Sequence, residues 1–179
     1  MNLFILRHAS AGVRRANPLL DMRRSLDKDG KRHCLQLAHI LNAMRTQFDL
    51  VVSSPAKRCL QTAALVGTEV GYEAAILQSN LLSPSATVKD MHKLLRDCAA
   101  AENLLLVGHN PNLTQFLGSL LVPPGSAAGA SVRLRKGTLA RLSINETGVP
   151  VLQGLIDPRT VRVLYATSTK SSRRKTSRK

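Results

Sequence analysis

The chain has no tryptophan, and aromatic residues make up 3% of its 179 residues. So few rings argue against a stacking platform for single-stranded nucleic acid. There are three cysteines, Cys34, Cys59 and Cys98. An odd number, widely spaced, gives neither a disulfide framework nor a metal-binding pair, and they read as reduced, buried thiols of a cytoplasmic protein. No apolar run approaches the ~18 residues needed to span a membrane. The first run meets Arg7 after four apolar residues, too soon for a secretory signal. Acidic residues are scarce, 11 against 26 Lys and Arg, for a net charge of +15.

That charge is unevenly placed. Lys170 to Lys179 holds six basic residues and no acidic or apolar one. Such a segment cannot join a core and reads as a disordered tail over 166–179, following a folded domain over 1–165. It fits a solubilising tail with at most weak, non-specific contact to nucleic acid or an acidic surface. The body, with 44% apolar residues overall, is long enough to bury a single core.

Helical periodicity marks four segments. Cys34, Leu37, Ala38, Leu41 and Met44 share one face, as do Ala56, Cys59, Leu60 and Ala63. Val88, Met91 and Leu95 form a third face, and Leu113, Phe116, Leu117, Leu120 and Leu121 a fourth. Ser54-Pro55 and Asn110-Pro111 each read as an N-cap followed by proline in the first helical turn. Apolar strands alternate with these helices, with a short one near Ala74 to Leu77. Thr138–Ile144 and Val149–Ile156 follow as two strands joined by a turn, after a Pro/Gly/Ala/Ser-rich loop over Pro123–Ser131. Alternation of this kind predicts a three-layer α/β/α fold with a mostly parallel central sheet, its last pair antiparallel at one side.

Three strands run into basic or polar loops. Leu3–Leu6 leads to Arg7-His8-Ala9. Leu50–Val52 leads to Ser53-Ser54-Pro55-Ala56-Lys57-Arg58, and Leu104–Val107 to Gly108-His109-Asn110-Pro111. If these strands are parallel neighbours, Arg7, His8, Arg58 and His109 converge at the sheet edge where open α/β sheets bind ligands. Two arginines and two histidines suit a phosphoryl group. His33, His39 and His92 lie on helices without such a context and read as structural. Ser54 reads as a helix cap, since no G-x-S-x-G elbow surrounds it.

The combination of R-H-A, S-S-P-x-x-R and G-H-N-P resembles the histidine phosphatase superfamily, with its phosphoglycerate mutase-like fold. Within it the chain is similar to the small SixA-type phosphohistidine phosphatases. Asp21 to Gly30 resembles their D-x-x-R-x-L-x-x-x-G segment, and the resemblance covers roughly residues 1–157. It implies His8 as nucleophile and Arg7 and Arg58 as clamps on the phosphoryl oxygens. His109, protonated when phosphate is bound, is a third donor, and Asn110 is a further substrate contact or cap. It implies no metal and no cofactor, and a phosphohistidine-bearing protein as partner.

Two departures stand out. Ala9 occupies the position where the family commonly has glycine. Many members carry an acidic residue in the loop after the third strand, but Gln78–Lys89 contains none, and Asn80 lies near the expected place. Asp21 and Asp90 remain as candidate acids. An alkoxide leaving group needs a proton as its bond breaks, whereas imidazole, with a pKa near 6.5, can take one from solvent. The missing acid therefore favours phosphohistidine over a small phosphoester such as a sugar phosphate or nucleotide. A phosphoglycerate mutase fits less well for the same reason. A basic module that only binds phosphate or nucleic acid leaves the four convergent residues unexplained. Whether Lys136 reaches the site is not legible in the sequence.

Overall fold

The computed structural model describes residues 1–122, 131–145 and 147–166. A six-stranded sheet has the order β3-β2-β4-β1-β5-β6, with β1 Asn2–Arg7, β2 Leu50–Ser53, β3 Leu77–Gln78, β4 Asn103–Gly108, β5 Leu139–Ile144 and β6 Pro150–Ile156. The first four strands are parallel, and β5 and β6 pair antiparallel. The expected architecture, including the antiparallel pair at one side, is what forms.

Strand alternation builds both cores. Phe4, Leu6, Leu105 and Val107 face one side, packed with Cys34, Leu37, Leu41, Cys59 and Val66 of helices α2 (Lys28–Ala43) and α3 (Lys57–Glu69). Leu3, Ile5, Leu104 and Leu106 face the other, against Met91 and Leu94 of α4 (Val88–Asp97) and Leu113, Phe116 and Leu117 of α5 (Asn112–Leu120). A central strand buried on both faces reads as an unbroken apolar run, as β1 and β4 do. Each fully buried Leu or Phe contributes about 1.5–3 kcal/mol of transfer free energy. A five-residue helix, α1 (Pro18–Met22), lies between β1 and α2 and buries none of its side chains.

Several local expectations change. The α3 N-cap is Ala56 and the α5 N-cap is Pro111, so both prolines precede the first helical turn, and neither helix has a side-chain cap. Met44 follows α2 and is exposed. On α4 it is Leu94, rather than Leu95, that joins Met91 in the core. The short strand sits at Leu77–Gln78, slightly later than expected. Residues 158–166 are helical; the basic tail beyond them and all but Ser131 of the Pro123–Ser131 loop lie outside the described residues. Among the described residues, no helix is long and apolar enough to cross a membrane.

Candidate active site

The carboxyl ends of β1, β2 and β4 are laced together by backbone bonds. The His8 amide donates to Gly108 O at 3.1 Å and the Ser54 amide to Val107 O at 2.9 Å. From the segment before β5, Gly137 N donates to both Arg7 O (3.0 Å) and His8 O (3.1 Å). Gly137 adopts a φ of +82°, a conformation glycine reaches without a Cβ penalty. Ala9, buried, donates its amide to Thr62 Oγ1 on α3 at 3.1 Å. The loop after β1 is also pressed onto α2: a Cβ on Gly30 would stand 2.0 Å from Ser10 O. Asp27 caps that helix through Gly30 N at 2.7 Å and accepts from Ser10 Oγ at 2.7 Å.

This frame brings Arg7, His8, Arg58, His109 and Asn110 to one cleft of about 770 Å³, lined also by Arg14, Asp21, Arg24, Asp27 and Lys136. Five cationic side chains face two carboxylates there, which makes the cleft attractive to anions. Lys136 does reach it.

The two imidazoles are buried, with ring centroids 5.2 Å apart and planes at 60°. His8 Nδ1 lies 2.8 Å from its neighbour's carbonyl, Ala9 O. A carbonyl can only accept, so Nδ1 carries the proton and Nε2 keeps the lone pair. Burial pushes the His8 pKa down to about 3, aided by the charges of Arg58, Arg7 and Arg24 against the opposing Ala9 bond. Burial, His8 and the same two arginines, Arg58 and Arg7, bring His109 to about 3 as well. Both rings are thus neutral at pH 7, and His109 gains a proton only where a bound anion raises its pKa.

His109 has its own tautomer lock. Arg58 Nη2 faces Nδ1 at 3.3 Å, and a guanidinium only donates, so Nδ1 accepts. Nε2 then donates to Ser54 Oγ at 2.9 Å, with the buried Cys59 thiol 3.4 Å from the same nitrogen. Ser54 is therefore a partner of His109 rather than the cap of α3. Its place four residues before Arg58, at the end of β2, was visible in the sequence, but its partner lies after β4 and was not.

Arg58 is anchored by Asp21: Nη1 donates to Asp21 O at 2.8 Å and sits 3.2 Å from Asp21 Oδ2. Arg24 Nε pairs with Asp21 Oδ1 at 2.9 Å. Leu134 O accepts from both Arg7 Nη1 (2.9 Å) and Asn110 Nδ2 (3.0 Å), so a carbonyl far along the chain orients two site residues. Desolvation raises the Asp21 pKa, but the Arg15 amide, the Arg24 guanidinium and the Arg58 charge outweigh it and hold it below the ordinary value. Desolvation of Asp27 is likewise outweighed by Ser10, the Gly30 amide and Lys136. Asp90 is absent from the cleft lining; it closes the capping box of α4 with Thr87. His33, His39 and His92 lie elsewhere, His92 bonded to Ser119 Oγ at 2.9 Å. Among the described residues no group of three or more His, Cys, Asp or Glu is placed to hold a metal ion.

Comparison with known proteins addresses the same region. A sequence model of the histidine phosphatase superfamily (branch 1) matches residues 3–82. No curated protein matches the chain at a significant level. Solved structures do. The protein histidine phosphatase SixA complexed with tungstate superposes with a TM-score of 0.79 at 21% identity, over 90% of this chain and 99% of that one. A candidate phosphohistidine phosphatase SixA from Nakamurella multipartitia gives 0.69 at 27% identity, over 88% and 95%. The alpha-ribazole phosphatase from Shigella flexneri gives 0.68 at 16% identity, over 88% and 97%. The matched segment, which carries Arg7, His8 and Arg58, is similar to that superfamily, and the fold shared with these structures extends past it over the strand that leads to His109.

Proposed function

We propose that this protein is a phosphatase that passes a phosphoryl group through His8, and that its substrates are phosphohistidine side chains of proteins. The observation that carries the reading is the pairing of His8 Nδ1 with Ala9 O, which leaves a neutral imidazole with its Nε2 lone pair in a cationic cleft. Nε2 attacks phosphorus in line as the substrate P–N bond breaks. The leaving imidazole keeps the bonding electrons and takes a proton from water. Water then attacks the phosphoryl-His8 intermediate, the new P–N bond breaks, and inorganic phosphate leaves. Arg7 and Arg58 stabilise the three equatorial oxygens throughout. A bound dianion raises the proton affinity of His109, whose Nδ1 then changes from acceptor to donor towards the phosphoryl group.

The proton inventory supports the substrate class. The carboxylates lining the cleft, Asp21 and Asp27, are both held below the ordinary range. Neither can serve as a proton donor at pH 7, which disfavours an alkoxide leaving group and suits imidazole. The tungstate complex of SixA shows a tetrahedral oxyanion bound to a protein of the same fold. The second reading, a small phosphoester as substrate, is favoured by the likeness to an alpha-ribazole phosphatase.

The test is phosphate release from a phosphohistidine-bearing protein, p-nitrophenyl phosphate and a sugar phosphate, for the native protein and His8→Ala. Release is expected from phosphohistidine and from p-nitrophenyl phosphate, whose phenolate also leaves without a proton, but not from the sugar phosphate, and it should fall about a thousandfold or more on the substitution. His8-dependent release from the sugar phosphate alone would replace the substrate class. No His8-dependent release from any of the three would overturn the reading.

A further inference from the structure

The segment between β1 and α2 contributes little to the core yet is firmly held. Its helix α1 buries nothing, and Val13, Leu19 and Leu20 are 81%, 76% and 54% exposed. Polar ties fix it in place. Asn17 Oδ1 accepts from Leu19 N at 2.9 Å, Asp21 Oδ1 from Arg15 N at 3.1 Å, and Gly12 O from Arg24 Nη1 at 2.9 Å. Three large apolar side chains are thus held out in water on a fastened lobe beside the phosphoryl cleft.

A second depression of about 640 Å³ opens on this lobe. It shares Gly12, Val13 and Arg24 with the cleft, and Arg15, Leu20 and Arg23 complete most of its wall. No acidic residue lines it. Arg15 and Arg23 are exposed, and neither enters a salt bridge among the described residues. Asp21, the nearest carboxylate, is already engaged by Arg24 and Arg58.

We propose that this depression is a subsite for a carboxylate side chain of the polypeptide substrate, with an apolar neighbour of that residue resting on Val13, Leu19 and Leu20. The proposal rests on the phosphohistidine reading and deepens it. Arg15 and Arg23, two guanidinium groups without a salt bridge among the described residues, in a wall that holds no carboxylate, call for an anion. Contiguity with the cleft lets one extended chain fill both, stepping past Gly12 and Val13. The exposed apolar trio separates a polypeptide from a small polyphosphate, which has nothing apolar to offer it.

The experiment measures binding and turnover separately. Two labelled peptides carry the non-hydrolysable phosphohistidine mimic phosphoryltriazolylalanine, one flanked by Glu and Leu, the other by Lys and Ser. Their affinities are read by fluorescence anisotropy on the native protein, on Arg15→Glu/Arg23→Glu and on Leu19→Ser/Leu20→Ser, with tungstate affinity as the control for the cleft. The native protein should prefer the acidic peptide by about tenfold or more at low ionic strength, with the preference shrinking as salt is added. The double charge reversal should abolish or invert that preference, and the double serine variant should weaken it. Tungstate binding should stay within about twofold in each. Equal affinity for both peptides, or a preference that survives the charge reversal, would overturn the subsite. So would an oligothymidylate that displaces the acidic peptide and binds more tightly, which would mark the lobe as a nucleic-acid surface. Phosphate release from true phosphohistidine peptides is followed in parallel. Release without the preference keeps the chemistry and removes the subsite; the preference without His8-dependent release keeps the subsite and removes the chemistry.

Discussion

The floor of the cleft and the lobe beside it solve opposite problems with the same kind of residue. On the floor, Arg58 is buried and held by Asp21 and His109. On the lobe, Arg15 and Arg23 are exposed and enter no salt bridge among the described residues. The floor fixes the tautomers of both imidazoles and the two terminal nitrogens of Arg58 through a backbone carbonyl, a serine hydroxyl and Asp21, the kind of preorganisation that in-line phosphoryl transfer demands. The lobe offers charge and apolar surface without fixed partners, which suits recognition of a variable polypeptide. Geometry is thus concentrated at the chemistry, and adaptable surface lies one loop away.

The sharpest way to break the floor without touching its side chains is Gly30→Ala. The added Cβ would collide with Ser10 O at 2.0 Å, a backbone atom that cannot swing aside. A loss of about 3 kcal/mol or more is expected in denaturant unfolding, with activity falling as the loop after β1 shifts.

Acid should act on the floor next. His8 and His109 have pKa values of about 3 in the folded protein against roughly 6.5 when unfolded. Between those values the unfolded chain binds more protons, so each histidine's contribution is fully present above pH 6.5 and is lost as pH falls towards 3. The slope is about 1.4 kcal/mol per pH unit per histidine. Urea titrations across this range should show it, and tungstate, by favouring a protonated His109, should flatten it.

Ser54→Ala removes the acceptor for His109 Nε2 and leaves a buried donor bonded only to a thiol. It should cost about 1 kcal/mol and lower turnover by loosening the tautomer, with Ser54→Thr recovering both. Least affected should be the lobe. Val13→Ser and Leu19→Ser should leave the unfolding midpoint nearly unchanged, within about 0.5 kcal/mol, because those side chains pack on nothing in the fold.

The contrast also explains what could be read in the sequence. Apolar strands interrupted by Arg-His, by Ser-Ser-Pro and by Gly-His-Asn-Pro announced the parallel sheet and the converging site residues, because strand ends and burial leave local patterns. What the patterns could not carry were partners set by distant chain. Ser54 reads locally as a cap until His109 is placed beside it. Leu134 O, which orients Arg7 and Asn110, is a backbone atom with no signature at all. The prolines misled for a related reason: Ala56 and Pro111 themselves hold the N-cap positions, without a side-chain bond, so Pro55 and Pro111 precede the first helical turns instead of opening them.

The position of β1 has a consequence for how the molecule assembles. Asn2 pairs with Asn103 on one side and Ser143 on the other. The strand bearing Arg7 and His8 therefore leaves the ribosome long before either neighbour exists, and must wait as an unpaired apolar segment until most of the chain has been made. Contacts this far apart in sequence make for slow folding and expose a sticky strand meanwhile. His8 is thus made well ahead of both strands that fix its place.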